Sequence, residues 1–152
     1  MRIFLVGYMY SGKTTIGKQL AKKLNISFVD LDRAIEQRYH VSIPGFFNKY
    51  GEDAFRILER NVLEIVSDMD DVVISTGSGT PCFGDNMDFI LSKGCVVYLK
   101  MTSAAILSRE SRSKKQGLYW LLLLMMKKLR KLNRNLKKDL GTMKGLIFVS
   151  RL

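Results

Sequence analysis

Short apolar runs alternate along the chain with longer segments in which apolar residues recur every three or four positions. The short runs favour β-branched or aromatic residues and are typical of buried parallel strands, at Ile3–Val6, Ser27–Val29, Val72–Ser75 and Cys95–Leu99. The longer segments predict helices over Lys13–Leu24, Asp32–Tyr39, Phe46–Tyr50 and Asp53–Val66. This alternation predicts an α/β fold with a parallel sheet, whose ligands bind at the carboxyl ends of the strands.

Composition narrows the class of protein further. A chain of 152 residues, 47% of them hydrophobic and 26% charged, is large enough to bury a core, which excludes a wholly disordered chain. Cys82 and Cys95 are too few for a disulfide scaffold, so we expect a reduced, cytoplasmic protein. The longest apolar run, Leu118–Met126, is far shorter than the roughly 20 residues that span a bilayer, and no membrane association is predicted.

The positive charge is confined to one part of the chain. Residues 1–100 hold 12 basic and 12 acidic residues, whereas residues 101–152 hold 13 basic and 2 acidic ones, which accounts for the whole net charge of +11. A basic face for nucleic acid is disfavoured, because the part that predicts a fold is neutral. The change in composition coincides with the end of the strand and helix alternation, near residue 115.

A phosphate-binding motif follows the first predicted strand. Gly7-Tyr8-Met9-Tyr10-Ser11-Gly12-Lys13-Thr14 fits G-x-x-x-x-G-K-[ST] and leads into a predicted helix, the context that the motif requires. In such loops, backbone N–H groups and the helix N-terminus converge on an anion. Lys13 is expected to hold the β- and γ-phosphates of a nucleotide, and the Thr14 hydroxyl to coordinate Mg²⁺.

Two carboxylates follow the second predicted strand. Strand alternation places Asp30 and Asp32 on one side of the chain, at the sheet edge that carries the phosphate loop. One carboxylate would orient water on Mg²⁺, and the other would accept a proton from a hydroxyl nucleophile. The competing interpretation of Asp32 is that it merely caps the following helix.

These motifs, together with Ala34-Ile35-Glu36-Gln37-Arg38, Gly51–Glu59 and Gly77-Ser78-Gly79, resemble shikimate kinase over residues 1–112. The resemblance implies a three-layer P-loop kinase fold, in which a five-stranded parallel sheet, four strands of it clear in this sequence, is flanked by helices. It also implies Mg²⁺-dependent transfer of the γ-phosphate of ATP to the 3-hydroxyl of shikimate, on the chorismate route to aromatic compounds. We expect a monomer that binds neither nucleic acid nor membrane.

The resemblance also assigns roles to individual residues. Asp32 resembles the base that binds the shikimate hydroxyls, Asp30 lies nearer the metal, and Arg56, oriented by Glu59, resembles the guanidinium that pairs with the shikimate carboxylate. The resemblance also implies that Phe47 and Phe55 wall the substrate ring, although both could simply pack in the core. Two further alternatives remain open: Arg56 could be solvated, and Glu59 could make only a surface ion pair. The ATP phosphate-binding stretch of the family is matched by Tyr10, Ser11, Gly12, Lys13, Thr14 and Thr15. Arg109 resembles the residue that lies against the adenine, or it is an arginine on a helix surface.

One loop departs from the family pattern. The family has three glycines where this chain has Gly77, Ser78 and Gly79. A glycine at the middle position lets backbone N–H groups approach the substrate carboxylate and permits a positive φ. Ser78 is therefore expected to weaken substrate binding if its φ is positive and to be harmless if its φ is negative.

The segment after residue 115 lacks the family's lid and C-terminal motifs. In the reading frame that starts two nucleotides later, the codons of Gln116–Trp120 permit Arg-Pro-Leu and force a second Leu after it. The resulting Arg-Pro-Leu-Leu is the lid motif of the family. The same shift forces Asp-Glu at Met125–Lys128 and permits an Arg before Tyr-Tyr at Lys138–Lys144. We therefore divide the chain into a kinase-like domain, residues 1–115, and an aberrant basic tail, residues 116–152, translated out of frame.

This division leaves alternative functions open. Without the lid arginine the chain is a candidate for an impaired, nucleotide-binding remnant of the family, because an arginine on the transferred phosphoryl group contributes orders of magnitude in rate. Another small-molecule P-loop kinase, such as a gluconate kinase, is the remaining alternative, although the motifs at Ala34–Arg38 and Gly51–Glu59 favour shikimate.

Overall fold

A computed structural model of the protein describes residues 1–102, 105, 106 and 108, and the backbone of residues 146–150. Its strands are β1 (Arg2–Gly7), β2 (Ser27–Asp30), β3 (Val72–Ser75), β4 (Cys95–Lys100) and β5 (Leu146–Ser150). Its helices are α1 (Lys13–Leu24), α2 (Leu31–Tyr39), α3 (Ile43–Ser67) and α4 (Asn86–Lys93), with a short 3₁₀ helix at Thr80–Cys82.

The five strands form one parallel sheet in the order β2-β3-β1-β4-β5. The α/β class and the four strands expected from the sequence are confirmed, and β5 adds a fifth strand from the segment that was assigned to the tail. The register sets Asp30 beside Ser75 and Gly7 beside Leu99, so the carboxyl ends of the first four strands meet at one edge.

The predicted helices are confirmed with small shifts at their ends. The two helices expected over Phe46–Tyr50 and Asp53–Val66 are the halves of α3, which bends at Gly51, where φ is 81° and ψ is 177°. The 3₁₀ helix and α4 were not predicted. Among the described residues, no helix has the length and apolar character needed to cross a membrane.

Both faces of the sheet are buried, which explains why the strands have continuous apolar sequences. Phe4 and Val6 of β1 face a core shared with α2, α3 and α4, while Ile3 and Leu5 face the layer formed by α1. The larger core holds Leu31, Ile35, Phe55, Leu58, Val62, Leu63, Val66, Met87 and Ile90. These helices therefore carry the residues between Asp32 and Glu59 to the same sheet edge as the phosphate loop.

Candidate functional site

A cleft of about 410 Å³ opens at the carboxyl ends of β1, β2 and β3. Phosphate-loop residues form one wall, and the opposite wall comes from the ends of β2 and β3. Its lining comprises Met9, Tyr10, Gly12, Lys13, Thr14, Thr15, Asp30, Asp32, Ser75, Thr76 and Ser78. The cleft lies where ligands bind in open parallel sheets.

The phosphate loop turns tightly into α1. Gly12, the residue that precedes α1, has a φ of 89°, and Tyr10 has a φ of 62°. A positive φ is easily adopted by glycine, which explains why the motif has Gly12 at this turn. Ser11 is buried, and its hydroxyl has no hydrogen-bond partner among the described residues.

Lys13 lies beneath this loop rather than in solvent. Its Nζ donates to the Gly7 carbonyl at 2.8 Å and to the Tyr8 carbonyl at 2.9 Å. Burial lowers the pKa of Lys13 to about 8, although the carboxylates of Asp32 and Asp30 oppose this shift. A buried ammonium that donates to carbonyl groups gains a charged partner when an anion enters the loop.

Thr14 and Asp30 form the next polar contact along the cleft. The Thr14 hydroxyl donates to Asp30 Oδ2 at 2.7 Å, and Asp30 Oδ1 accepts from the backbone N–H of Arg33 at 3.4 Å. Asp30 is therefore both the last residue of β2 and the cap of α2. A hydroxyl and a carboxylate oxygen are ligands that suit Mg²⁺, so the donor set fits this ion.

Asp32 lies in the first turn of α2 and not on a strand. The predicted strand alternation of Asp30 and Asp32 is therefore wrong, as is the alternative that Asp32 caps the helix, because Asp30 is the cap. Both carboxylates nevertheless line the cleft. Asp32 is exposed by its surface area, but the cleft walls crowd it and displace part of the water around it. This desolvation, followed by the negative charges of Asp30 and Glu59, raises the pKa of Asp32 to about 6.

Arg56 is a buried residue of α3, which excludes the solvated arginine left open by the sequence. Its Nη1 donates to Glu59 Oε2 at 2.7 Å, and its Nη2 to Glu52 Oε1 at 3.1 Å. The Arg56–Glu59 pair is not a surface ion pair, since the two side chains are 9% and 1% exposed. The buried Arg56 Nε has no hydrogen-bond partner among the described residues.

Three aromatic rings surround the Arg56 guanidinium. Its central carbon lies 3.8 Å from the ring centre of Phe83, 5.3 Å from that of Phe55 and 5.9 Å from that of Phe47. Phe55 belongs to the main core and stacks on Phe47 at 4.6 Å. Core packing, one of the two roles left open for these phenylalanines, is thus confirmed for Phe55, while Phe47 packs against that core.

Gly77 connects the two carboxylate regions. A Cβ atom at this position would lie 2.8 Å from Glu59 Oε1 and from Thr80 Oγ1, and 2.9 Å from Asp32 Oδ1. A side chain at position 77 would therefore force these oxygen atoms to move. Ser78 has a negative φ and lines the cleft, so it occupies the family's middle glycine position without backbone strain.

The structure brings most of the predicted site residues together. The cleft is lined by Asp30, Asp32 and Ser78 and, from the predicted loop residues, by Tyr10, Gly12, Lys13, Thr14 and Thr15. Outside its lining lie Ser11, which is buried, and Arg56, Glu59, Phe47, Phe55, Gly77 and Gly79. Gly79 is buried and precedes the 3₁₀ helix. Arg109 lies outside the described residues.

The sequence reasoning did not single out several residues that contact the site. Glu52, Thr80 and Phe83 contact Arg56 or Glu59 directly, and Ser75 and Thr76 line the cleft. A signal existed for Glu52, which lies four residues before Arg56 on the same helix and therefore on the same face. Thr80 and Phe83 approach from a separate element, and no local pattern marks them.

Comparison with known proteins identifies relatives of the chain. The sequence model of the shikimate kinase family matches residues 9–140, which extends past residue 112, where the motif resemblance ends. Shikimate kinase of Parabacteroides distasonis is 53% identical over 108 residues, which cover 71% of this chain and 62% of that protein. Shikimate kinase of Aquifex aeolicus is 42% identical over 118 residues, 78% of this chain and 70% of that protein.

A solved structure agrees with these sequence matches. Shikimate kinase from Acinetobacter baumannii in complex with shikimate superposes with a TM-score of 0.81 at 32% identity, covering 99% of this chain and 83% of that one. The chain thus spans a little under two thirds of the Parabacteroides protein and more of the other two relatives. On its sequence, its fold and the arrangement of its cleft, the chain belongs to the shikimate kinase family.

Proposed function

We propose that the protein transfers the γ-phosphate of ATP to the 3-hydroxyl of shikimate. The observation that carries this proposal is the position of Gly77, against which Asp32 of the phosphate cleft and Glu59, the partner of Arg56, both pack. Gly77 therefore lies between a carboxylate of the phosphate cleft, Asp32, and the carboxylate that holds the buried, aromatic-walled guanidinium of Arg56. This order suits a substrate with a hydroxyl at one end and a carboxylate at the other.

The phosphate loop supplies the nucleotide side of the reaction. Lys13 exchanges its two carbonyl partners for phosphate oxygens when ATP binds, and backbone N–H groups at the start of α1 hold the same anion. Thr14 and Asp30 hold Mg²⁺, which, when bound, neutralises charge on the phosphates. Arg109 is proposed to lie against the adenine, as the family resemblance implies.

Asp32 serves as the base for the acceptor. The 3-hydroxyl oxygen of shikimate bonds to the γ-phosphorus, the bond from that phosphorus to the bridging oxygen breaks, and ADP leaves with the bond's electrons. The hydroxyl proton passes to Asp32. With a pKa of about 6, Asp32 is ionised at neutral pH and still basic enough to accept this proton.

Arg56 recognises the carboxylate of shikimate. Its Nε–H has no hydrogen-bond partner in the part of the chain that the structure describes. Glu52, which is half-buried, holds Nη2 by the longer of the two ion pairs. A carboxylate ligand displaces Glu52 more easily than the buried Glu59. Phe47, Phe55 and Ser78 are proposed to border the ring of the substrate.

We further propose that the protein is a cytoplasmic monomer, that residues 1–115 form the kinase-like part, and that residues 116–152 are translated out of frame. Cys82 and Cys95 are both unbridged, as expected in a reducing compartment. The alignments with the two relatives cover 108 and 118 residues, similar in length to the proposed kinase-like part, whereas the family model matches as far as residue 140. A coding DNA that shows the family frame intact through codon 152 would contradict the frame proposal.

The test is ADP release with Mg²⁺-ATP, measured with and without shikimate. It uses this chain, a version with the downstream frame restored by a compensating base change, and an Asp32→Asn variant of each as matched controls. We expect shikimate-dependent release that is larger in the restored version and lost in both variants. ATP binding without shikimate-dependent release in either version would contradict the kinase proposal and identify a nucleotide-binding remnant. Release with gluconate in place of shikimate would contradict the choice of substrate.

A further inference from the structure

A chain of hydrogen bonds leads from the surface of the protein to Arg56. Arg60 Nη1 donates to Asn86 Oδ1 at 2.8 Å, and Asn86 Nδ2 donates to the Thr80 carbonyl at 2.9 Å. The Thr80 hydroxyl in turn donates to Glu59 Oε1 at 2.6 Å, and Glu59 Oε2 accepts from Arg56. The chain thus links α3 to the 3₁₀ helix and to α4 and returns to α3.

The Thr80 contact decides how the Glu59 carboxylate is oriented. Thr80 and Glu59 are 0% and 1% exposed, so neither oxygen of the carboxylate has water as a ready substitute partner. Glu59 accepts only, and the threonine hydroxyl is therefore the donor. Because Thr80 binds Oε1, the remaining oxygen, Oε2, is directed at Arg56.

The same contact lies against the proposed base. Thr80 Oγ1, Glu59 Oε1 and Asp32 Oδ1 all lie within 2.9 Å of the position where Gly77 would carry a Cβ atom. Rotation of the Glu59 carboxylate would therefore move charge relative to Asp32 as well as to Arg56. Asn86 is 4% exposed and fixes the backbone of Thr80, which leaves the threonine little freedom to follow such a rotation.

We propose that Thr80 is a positioning residue for the acceptor substrate, which acts through Glu59 to fix the Arg56 guanidinium. This inference rests on the proposed function, because Arg56 is taken to bind the substrate carboxylate. Thr80 is fully buried and does not line the cleft. Asn86 supports it from the outer side of the chain of hydrogen bonds.

The test compares Thr80→Val, which removes the hydroxyl at nearly constant shape, with Thr80→Ser, which keeps it. Ser67→Ala is the matched control, because Ser67 is a fully buried hydroxyl of α3 without a hydrogen-bond partner among the described residues. Asn86→Ala weakens the same chain one step further out, and it keeps the proposal testable if Thr80→Val does not fold. All variants are measured in the full chain and in the frame-restored version.

Two readouts separate positioning from general stability. In steady-state kinetics, Thr80→Val raises KM for shikimate about tenfold, while KM for ATP stays within about twofold. Thr80→Ser restores the parent value, Asn86→Ala gives a rise of about threefold, and Ser67→Ala changes neither constant. A purely structural role would change both KM values together, or neither.

The second readout needs no substrate. Nuclear magnetic resonance of the ligand-free protein follows rotation of the Arg56 guanidinium, whose separate Nη proton signals require a restrained side chain. We expect these signals to broaden in Thr80→Val and to recover in Thr80→Ser. Unchanged signals in Thr80→Val would overturn the inference even if shikimate is phosphorylated. A different result separates the two proposals. If neither parent chain phosphorylates shikimate but the signals broaden in Thr80→Val, the proposed function is overturned, while the positioning of Arg56 by Thr80 stands.

Discussion

On the phosphate-loop side of the cleft, Gly12, Lys13 and Thr14 come from one continuous stretch, whereas the Arg56 side is assembled from α3, the β3 loop and the 3₁₀ helix. The loop holds Lys13 by backbone carbonyls, which any sequence supplies. Arg56 is held by carboxylates and rings, which only particular side chains supply. The loop side is therefore defined by local backbone geometry, and the Arg56 side depends on tertiary packing.

The largest effect is expected from removing the Lys13 ammonium, the side-chain group on which the phosphate-loop side depends. Lys13→Met is expected to lower kcat about a thousandfold, because among the described residues that line the cleft no other lysine or arginine can neutralise the transferring phosphate. ADP release measures the loss, and Lys18→Met, an exposed substitution on the same helix, is the control. A decrease of less than tenfold would show that the backbone of the loop suffices.

Asp32 joins the two sides, and its titration tests both. Below pH 6, kcat/KM for shikimate should fall about tenfold per pH unit, because the base must be ionised, and Asp32→Asn should lower kcat at least about a hundredfold. A pH profile that is flat between 5 and 7 would contradict this role.

Ionisation of Asp32, which the proposed reaction requires, lowers the stability of the folded protein. The pKa of Asp32 in the folded protein is raised from 3.8 to about 6, so the folded state binds more protons than the unfolded state between those values. Stability is lost as the pH rises through this window and stays lower above it. Asp32→Asn should therefore stabilise the protein at pH 7 by about 1 kcal/mol, a value reduced for solvent screening in the open cleft. Urea denaturation at pH 4 and 7 measures the difference, with Asp53→Asn as the control for charge.

Substitution of Arg56 should weaken the binding of shikimate and leave the binding of ATP nearly unchanged. Arg56→Lys keeps the charge but loses the fork that serves Glu59, Glu52 and the ligand together, so KM for shikimate is expected to rise about thirtyfold. KM for ATP should change by less than about twofold. Arg38→Lys, an exposed change on α2, is the control, and an equal rise in both constants would mean that the two sides are coupled.

The smallest effect is expected at Ser78, where the chain departs from its family. Its negative φ means that serine costs no backbone strain, so Ser78→Gly should change KM for shikimate by less than about threefold. Ser78→Ala separates the hydroxyl from the backbone. A tenfold improvement in Ser78→Gly would show instead that the side chain obstructs the substrate.

The same contrast explains what could be predicted from the sequence. The phosphate loop was predictable because its spacing specifies a strand, a turn and a helix start within eight residues. The buried strands were predictable because both sheet faces are covered, which requires uninterrupted apolar runs. Arg56 and Glu59 were identified through the family resemblance, but their burial depends on α3 packing against the core, which no local pattern encodes.

Other features lay beyond local patterns. Thr80 and Phe83 reach the Arg56 side only because the chain after β3 folds back over α3. The eight-residue helix α4 is too short to show a clear apolar repeat. Asp32 was misplaced because strand alternation was continued past the apolar run Ser27–Val29, whereas β2 ends at Asp30, which caps α2.

For the ATP binding proposed above, the lowered pKa of Lys13 predicts proton uptake. With a pKa of about 8 in the ligand-free protein, about half of the molecules lack this proton at pH 8, and the arriving phosphates favour the charged form. The heat of ATP binding at that pH therefore includes the ionisation heat of whatever buffer supplies the proton. Two buffers of different ionisation enthalpy should report different heats for the same complex, and the slope between them counts the protons that the loop takes up.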